Sequence, residues 1–209
     1  MTIKAFPNIE EADEDGVLAV GGDLEVESLL LAYRSGIFPW PFDEDNLVWF
    51  APPKRALLFF DDLYINRSFR KVIKKQEYTV KKNTAFAEVI STCASIPRSD
   101  QPGTWITAEM QAAYIKLHEA GHAHSIEIYQ EEELIGGIYG VQIGKCFSAE
   151  SMFHHLPNAS KLALYHLVED LRQQDCHWLD CQVQNPFLKS LGVTEVQRKE
   201  FMSLLVEAI

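Results

Sequence analysis

The chain has 209 residues, 47% of them hydrophobic and 23% charged, which is ordinary globular usage. That length suffices for one large domain or two unequal ones and buries roughly 70% of the unfolded surface, so no disulfide or metal staple is required. The net charge of −11 argues against a general nucleic-acid binder; residues 1–7 show no apolar leader, and no run reaches the ~18 apolar residues of a membrane helix.

Residues 16–23 read G-V-L-A-V-G-G-D, a short apolar run closed by a glycine pair. Asp23 is placed to cap a helix over about 25–35, stopped by Gly36. Residues 36–42, G-I-F-P-W-P-F, predict a rigid loop with an exposed aromatic surface, because proline resists regular pairing. Short strands are expected at 48–50 and 55–60 around Pro52 and Pro53, with a domain boundary that gives 1–55 and 56–209.

Charge is unevenly spread. Arg67, Arg70, Lys71, Lys74, Lys75, Lys81 and Lys82 place seven of the 19 basic residues in positions 67–82, against the single acid Glu77. A helix opened by Asn66 or Ser68 puts Arg67, Arg70, Lys71, Lys74 and Lys75 on one cationic face. Next come a strand at 78–80, a helix to about 95 capped by Asn83 and Thr84, and a helix over 107–119 stopped by Gly121. Strands at 124–130, 134–142 and 145–151 turn at 131–133 and 144–145. A helix over 159–174 with Asn158 as cap, a strand at 178–183, a short helix from Pro186 and a final helix over 197–208 complete the chain. From residue 78 the order β-α-α-β-β-β-α-β-α matches acetyltransferase-like folds, so the expected class is α+β: a small N-terminal α/β domain packed on an acetyltransferase-like (GNAT-like) mixed sheet.

Cys93, Cys146, Cys176 and Cys181 form no C-x-x-C pair and read as reduced, buried thiols. No histidine or cysteine group has the paired spacing of a zinc site, so no metal is expected. In the strand at 178–183, alternation puts Asp180 and Gln182 on one face and Cys181 on the other. By itself that pair is as compatible with a hydrogen-bonded core as with catalysis. Glu150 ends the apolar strand K-C-F-S-A-E, where a carboxylate is paired, at a strand mouth, or functional. Gly136 and Gly137 interrupt a strand and mark either a bulge or a close approach. Trp40 and Trp105 are candidates for stacking on a base.

Several stretches resemble one family together: L-A-V-G-G-D-L (18–24), G-I-F-P-W (36–40), G-T-W-I-T (103–107), H-E-A-G-H-A-H-S-I-E (118–127), L-I-G-G-I-Y-G-V (134–141), E-S-M-F (150–153), N-A-S-K (158–161) and L-D-C-Q-V-Q-N (179–185). They lie in order across nearly the whole chain and resemble the bacterial leucyl/phenylalanyl-tRNA–protein transferases. The resemblance implies transfer of Leu or Phe, less well Met, from Leu-tRNA or Phe-tRNA to proteins with N-terminal Arg or Lys, which then enter degradation. The reading of the cysteines as reduced thiols and the lack of an apolar leader point to the cytoplasm, and a monomer is the simpler expectation. The resemblance implies no coenzyme. The segment after Ser151, M-F-H-H-L-P-N-A-S-K, also lacks the glycines of a pyrophosphate cradle, which disfavours a coenzyme A donor.

By the same resemblance, Gln182 acts on the acceptor amine, oriented by Asp180. An amide is a very weak base, so the physical form of that role is orientation, with Asp180 supplying charge and Glu150 binding an ammonium. On that view Gln182→Glu should be better tolerated than Gln182→Ala. Ile138, Phe147, Leu167 and Leu179 would line the donor side-chain pocket, Trp40 and Trp105 would hold the terminal adenosine, and the cationic face would hold tRNA phosphates. Departures are Ala149, where the family usually has Gly, and Pro41 before Phe42.

Overall fold

The computed structural model describes residues 2–41, 47–97 and 105–209. Phe42, Gly103 and Thr104, which belong to two of the quoted motifs, lie outside them.

The N-terminal part holds β1 (Val17–Val20), α1 (Val26–Arg34), β2 (Phe38–Pro41) and β3 (Leu47–Phe50), with the three strands in the order β1-β3-β2. The aromatic segment is therefore not the loop expected. Phe38 faces Phe50 and Trp40 faces Val48 across an antiparallel pair, and Phe38 is buried. The prolines are tolerated because β2 is an edge strand: Pro39 and Pro41 share one side of the ladder, so both missing N–H groups fall on the free edge. Asp23 does not cap α1 either. Its Oδ1 accepts from the Glu25 N–H at 3.1 Å and from Ser28 Oγ at 2.6 Å, clasping the turn that enters the helix.

The larger sheet takes β4 (Lys54–Phe59), β5 (Thr79–Lys82), β6 (Ala123–Gln130), β7 (Glu133–Ile143), β8 (Cys146–His154), β9 (Trp178–Gln182) and β10 (Thr194–Gln197), in the order β10-β4-β9-β8-β7-β6-β5. Its pairs are antiparallel except β8 with β9. β10 is a strand with little sequence signal; Thr194–Gln197 holds a single apolar residue, Val196, and its partner β4 is remote in the chain. β8 runs past Ser151 to His154.

The helices are α2 (Arg67–Lys75), α3 (Phe86–Ser95), α4 (Ala108–Glu119), α5 (Ala159–Gln173), α6 (Pro186–Ser190) and α7 (Arg198–Ala208). One expected cap holds: Asn66 accepts from Phe69 N at 2.8 Å. Thr107, expected as the first helical residue, instead caps α4 by accepting from Met110 N at 3.2 Å. Two expected caps do not hold. Asn83 and Thr84 turn instead to β6, where Asn83 accepts from Ser125 N and Thr84 donates to the buried Glu127. Asn158 precedes α5 in a left-handed conformation and makes no side-chain cap. Both readings of Gly136 and Gly137 apply: the β6–β7 register slips just before Gly136, and a Cβ on Gly136 would meet Ala159 Cβ at 2.6 Å, where α5 starts against the sheet.

One face of the sheet packs on α5 and Phe69 of α2. The other shares a core with α3, α4 and the N-terminal part, through Tyr139 and Phe153 meeting Leu29, Tyr33, Phe38, Val89 and Tyr114. α7 closes a third cluster on Leu57 and Trp178. All four cysteines are buried. No described helix is long and apolar enough to cross a membrane.

Candidate functional site

β8 and β9 are paired only at Phe147–Leu179 and Ser148–Asp180. Past that point Glu150 and Gln182 face each other across unpaired strands. Each is aimed by a local irregularity. On β8, Gly140 faces Ala149 and Tyr139 faces Ser151, so Glu150 is the extra residue of a bulge. On β9, Ala56 faces Gln182 and Leu57 faces Asp180, so Cys181 is extra and Gln182 adopts φ 61°, a left-handed conformation rare for a residue with a side chain.

The Gln182 amide Nε2 donates to Glu150 Oε1 at 2.6 Å. Two tyrosines complete the surround of this buried carboxyl. The Tyr33 hydroxyl reaches Oε1 at 2.8 Å, the Tyr114 hydroxyl reaches Oε2 at 3.2 Å, and the two hydroxyls meet at 2.5 Å. Three oxygen–oxygen contacts close a triangle, but two tyrosines supply only two protons. The triangle is fully hydrogen-bonded when Glu150 carries the third. Burial, the largest cause, lifts the Glu150 carboxyl to about 7; the Tyr33 hydrogen bond opposes the rise and the Asp180 charge adds to it. Burial and the Glu150 charge push both tyrosines well above the ordinary phenol range, so they stay protonated donors.

Asp180 is fully buried and saturated. Arg55 grips it from β4, with Nε to Oδ1 at 2.8 Å and Nη2 to Oδ2 at 2.7 Å. Ser148 Oγ donates to Oδ2 at 3.1 Å, and the Gln182 backbone N–H donates to Oδ1 at 2.8 Å. The Asp180 carboxylate therefore meets Gln182 at its backbone, while the Gln182 carboxamide turns to Glu150. Simple strand alternation, which put the two side chains together, is broken by the bulge at Cys181.

Other expected residues fall as follows. Trp40 and Trp105 stack on each other, centroids 5.3 Å apart at 19°, and both are partly exposed. Ile138, Phe147, Leu167 and Leu179 are buried together in the cluster between the sheet and α5. Arg67, Arg70, Lys71, Lys74 and Lys75 are all exposed on α2. Among the described residues no group of three or more His, Cys, Asp or Glu is arranged to hold a metal.

Residues 57–206 match the family model for leucyl/phenylalanyl-tRNA protein transferase, and 22–53 match the model of its N-terminal domain. The chain belongs to the leucyl/phenylalanyl-tRNA–protein transferase family. It is 50% identical to the enzyme of that name from Flavobacterium johnsoniae over 96% of this chain and 94% of that protein. Identity to the one from Syntrophotalea carbinolica is 48%, over 97% of this chain and 88% of that protein. Among solved structures, FemX aligns at TM-score 0.52 and 12% identity, over 85% of this chain and 70% of that one, a likeness of fold alone. The transferase family makes the chain an aminoacyltransferase on an α+β, acetyltransferase-like scaffold, as expected.

Four residues of this transferase's site carry no signal of their own in the sequence. Tyr33 and Tyr114 sit on apolar helix faces and read as core. Ser148 reads as one more strand residue. Arg55 opens the apolar run A-L-L-F-F, and a cation there invites the question of its partner; Asp180, similarly placed among Trp178, Leu179 and Cys181, is the answer.

Proposed function

We propose that this chain moves Leu or Phe, and less well Met, from aminoacyl-tRNA to the α-amine of proteins beginning with Arg or Lys. The transfer marks those proteins for degradation in the cytoplasm and is carried out by a monomer, with 1–55 and 56–209 as its two domains. The observation that carries the reading is the Glu150–Gln182 contact where β8 and β9 part. It sets a carboxyl able to take a proton near neutral pH beside a carboxamide able to orient an amine.

The chemistry asks for little more. An α-amine has pKa near ~7.7–8, so much of it is neutral in the cell, and the tRNA ester is already reactive. Orientation and charge placement supply the remainder. Gln182 orients the attacking nitrogen, Glu150 holds the cationic group or its proton, and Asp180 holds the Gln182 backbone. Ile138, Phe147, Leu167 and Leu179 provide the donor side-chain pocket, which rejects charge through desolvation but discriminates one methylene by only about 1–3 kcal/mol. Trp40 and Trp105 take the terminal adenosine, and α2 takes backbone phosphates without reading sequence.

The deciding assay mixes radiolabelled Leu-tRNA or Phe-tRNA with a peptide beginning with Arg and one beginning with Ala. Label on the first peptide alone supports the reading. Label on neither rejects it, and equal label on both rejects the acceptor preference.

A further inference from the structure

We infer that Arg55 is a positioning residue of the transfer reaction: it locks Asp180 so that Asp180 fixes the Gln182 backbone and leaves no free charge beside Glu150. The inference rests on the roles proposed above for Gln182 and Glu150.

Arg55 is 2% exposed and Asp180 0%, so the pair is dry. The guanidinium is held on every side. Beyond its two bonds to Asp180, Nη1 donates to the Gly36 carbonyl at 3.1 Å, and its carbon lies 4.6 Å from the Phe38 ring centroid and 4.5 Å from that of Phe201. These contacts join β4, the turn after α1, β2 and α7 at one point. Their output runs through Asp180. With both carboxylate oxygens engaged by Arg55, Ser148 and the Gln182 N–H, Asp180 has no lone pair in reach of a substrate. What it does instead is hold Gln182 at φ 61°, the backbone state from which the carboxamide reaches Glu150.

The second consequence is electrostatic. The groups around Glu150 are Tyr33 from α1, Tyr114 from α4, Gln182 and Asp180 from β9, and Arg55 from β4 beyond Asp180. Asp180 already raises the Glu150 carboxyl. An Asp180 stripped of its cation would raise it further, because a nearby like charge disfavours ionisation. A residue that only glued elements together would alter melting and the yield of folded enzyme. It would not move a pH profile.

The test measures kcat and KM for an Arg-initiated peptide and for Phe-tRNA from pH 5.5 to 9, per folded enzyme. Wild type is compared with Arg55→Lys, Arg55→Met and the double variant Arg55→Met/Asp180→Asn. Arg55→Lys keeps the charge but loses the two-pronged grip; kcat should fall about ten- to a hundredfold, with the acid limb in place and KM for Phe-tRNA unchanged. Arg55→Met should move the acid limb of kcat/KM upward by about one pH unit. The double variant, free of both charges, should bring the limb back to or below the wild-type position while kcat stays low. An unmoved limb in Arg55→Met, or full kcat in Arg55→Lys, overturns the inference. If Arg55→Met does not fold, the double variant decides: wild-type kcat there also overturns it. Wild type inactive on the Arg-initiated peptide is a different failure, that of the proposed function itself.

Discussion

Glu150→Gln should make the protein more stable at alkaline pH while abolishing the negative charge at its site. The folded-state pKa of Glu150 is raised from 4.5 to about 7. At about 1.4 kcal/mol per unit, that is about 3 kcal/mol. The sign follows from proton uptake. Between pH 4.5 and 7 the native state holds a proton that the unfolded chain releases. The associated stability is therefore fully present below pH 4.5 and lost as pH rises through 7. The introduced amide mimics the protonated acid: its oxygen accepts from Tyr33 and Gln182, its N–H donates to Tyr114, and Tyr114 donates to Tyr33, so the triangle stays closed. Wild type and variant should thus be similar in urea unfolding at pH 4.5 and separate by about 3 kcal/mol at pH 8, the variant being the more stable. Thermal midpoints at pH 8 should differ by roughly 10 °C for a chain of this size. Parallel stability–pH curves for the two proteins would refute the picture of a buried, proton-sharing Glu150.

Reversing charge at Arg70 and Lys71 together should weaken tRNA binding more than tenfold at low salt and flatten the log-affinity against log-salt slope by about two; an unchanged slope in a filter-binding titration removes α2 from the tRNA surface. Trp40→Ala should raise KM for Phe-tRNA roughly ten- to a hundredfold with kcat held, since a stacked base is worth about 1–3 kcal/mol; an unchanged KM argues for packing only. Gly140→Ala should cost about 1–3 kcal/mol in urea melts, because a Cβ there would lie 2.2 Å from the Ser148 carbonyl oxygen and push β7 off β8; unaltered unfolding would count against the tight pairing. Gln182→Glu, conservative in size, should still lose activity: its carboxyl would meet Glu150 across a contact of 2.6 Å and the pair would share one proton, visible as a displaced pH–rate profile.

Legibility in the sequence followed the range of the interactions. Asn66 was readable as a cap because its side chain bonds a backbone N–H three residues on; Thr107 and Asn185 cap their helices in the same way, though the sequence marked only the helix starts there. The 134–142 strand and the 159–174 helix were readable from pattern and length. β2 and β10 were not, because each is made a strand by a partner, Phe50 to Leu47 for one and Leu57 to Lys54 for the other. Within the site, Glu150, Asp180 and Gln182 stood out through the motifs around them. The bulges that aim them did not, since a bulge is a mismatch between two strands and appears in neither alone. Tyr33, Tyr114 and Arg55 belong to separate segments whose meeting is purely tertiary.

The placement of β4 sets an order of assembly. It is an early segment of the chain, yet both its neighbours in the sheet, β9 and β10, are among the latest to be made. Arg55 emerges on β4 long before Asp180, its counter-ion, and before Phe201, which covers it. During synthesis, β4 has both edges unpaired and a bare guanidinium among apolar neighbours, an arrangement that gives long-range pairing and slow closure. A nascent chain stopped before residue 194 lacks β10 and α7 and cannot seal the Arg55–Asp180 pair from water.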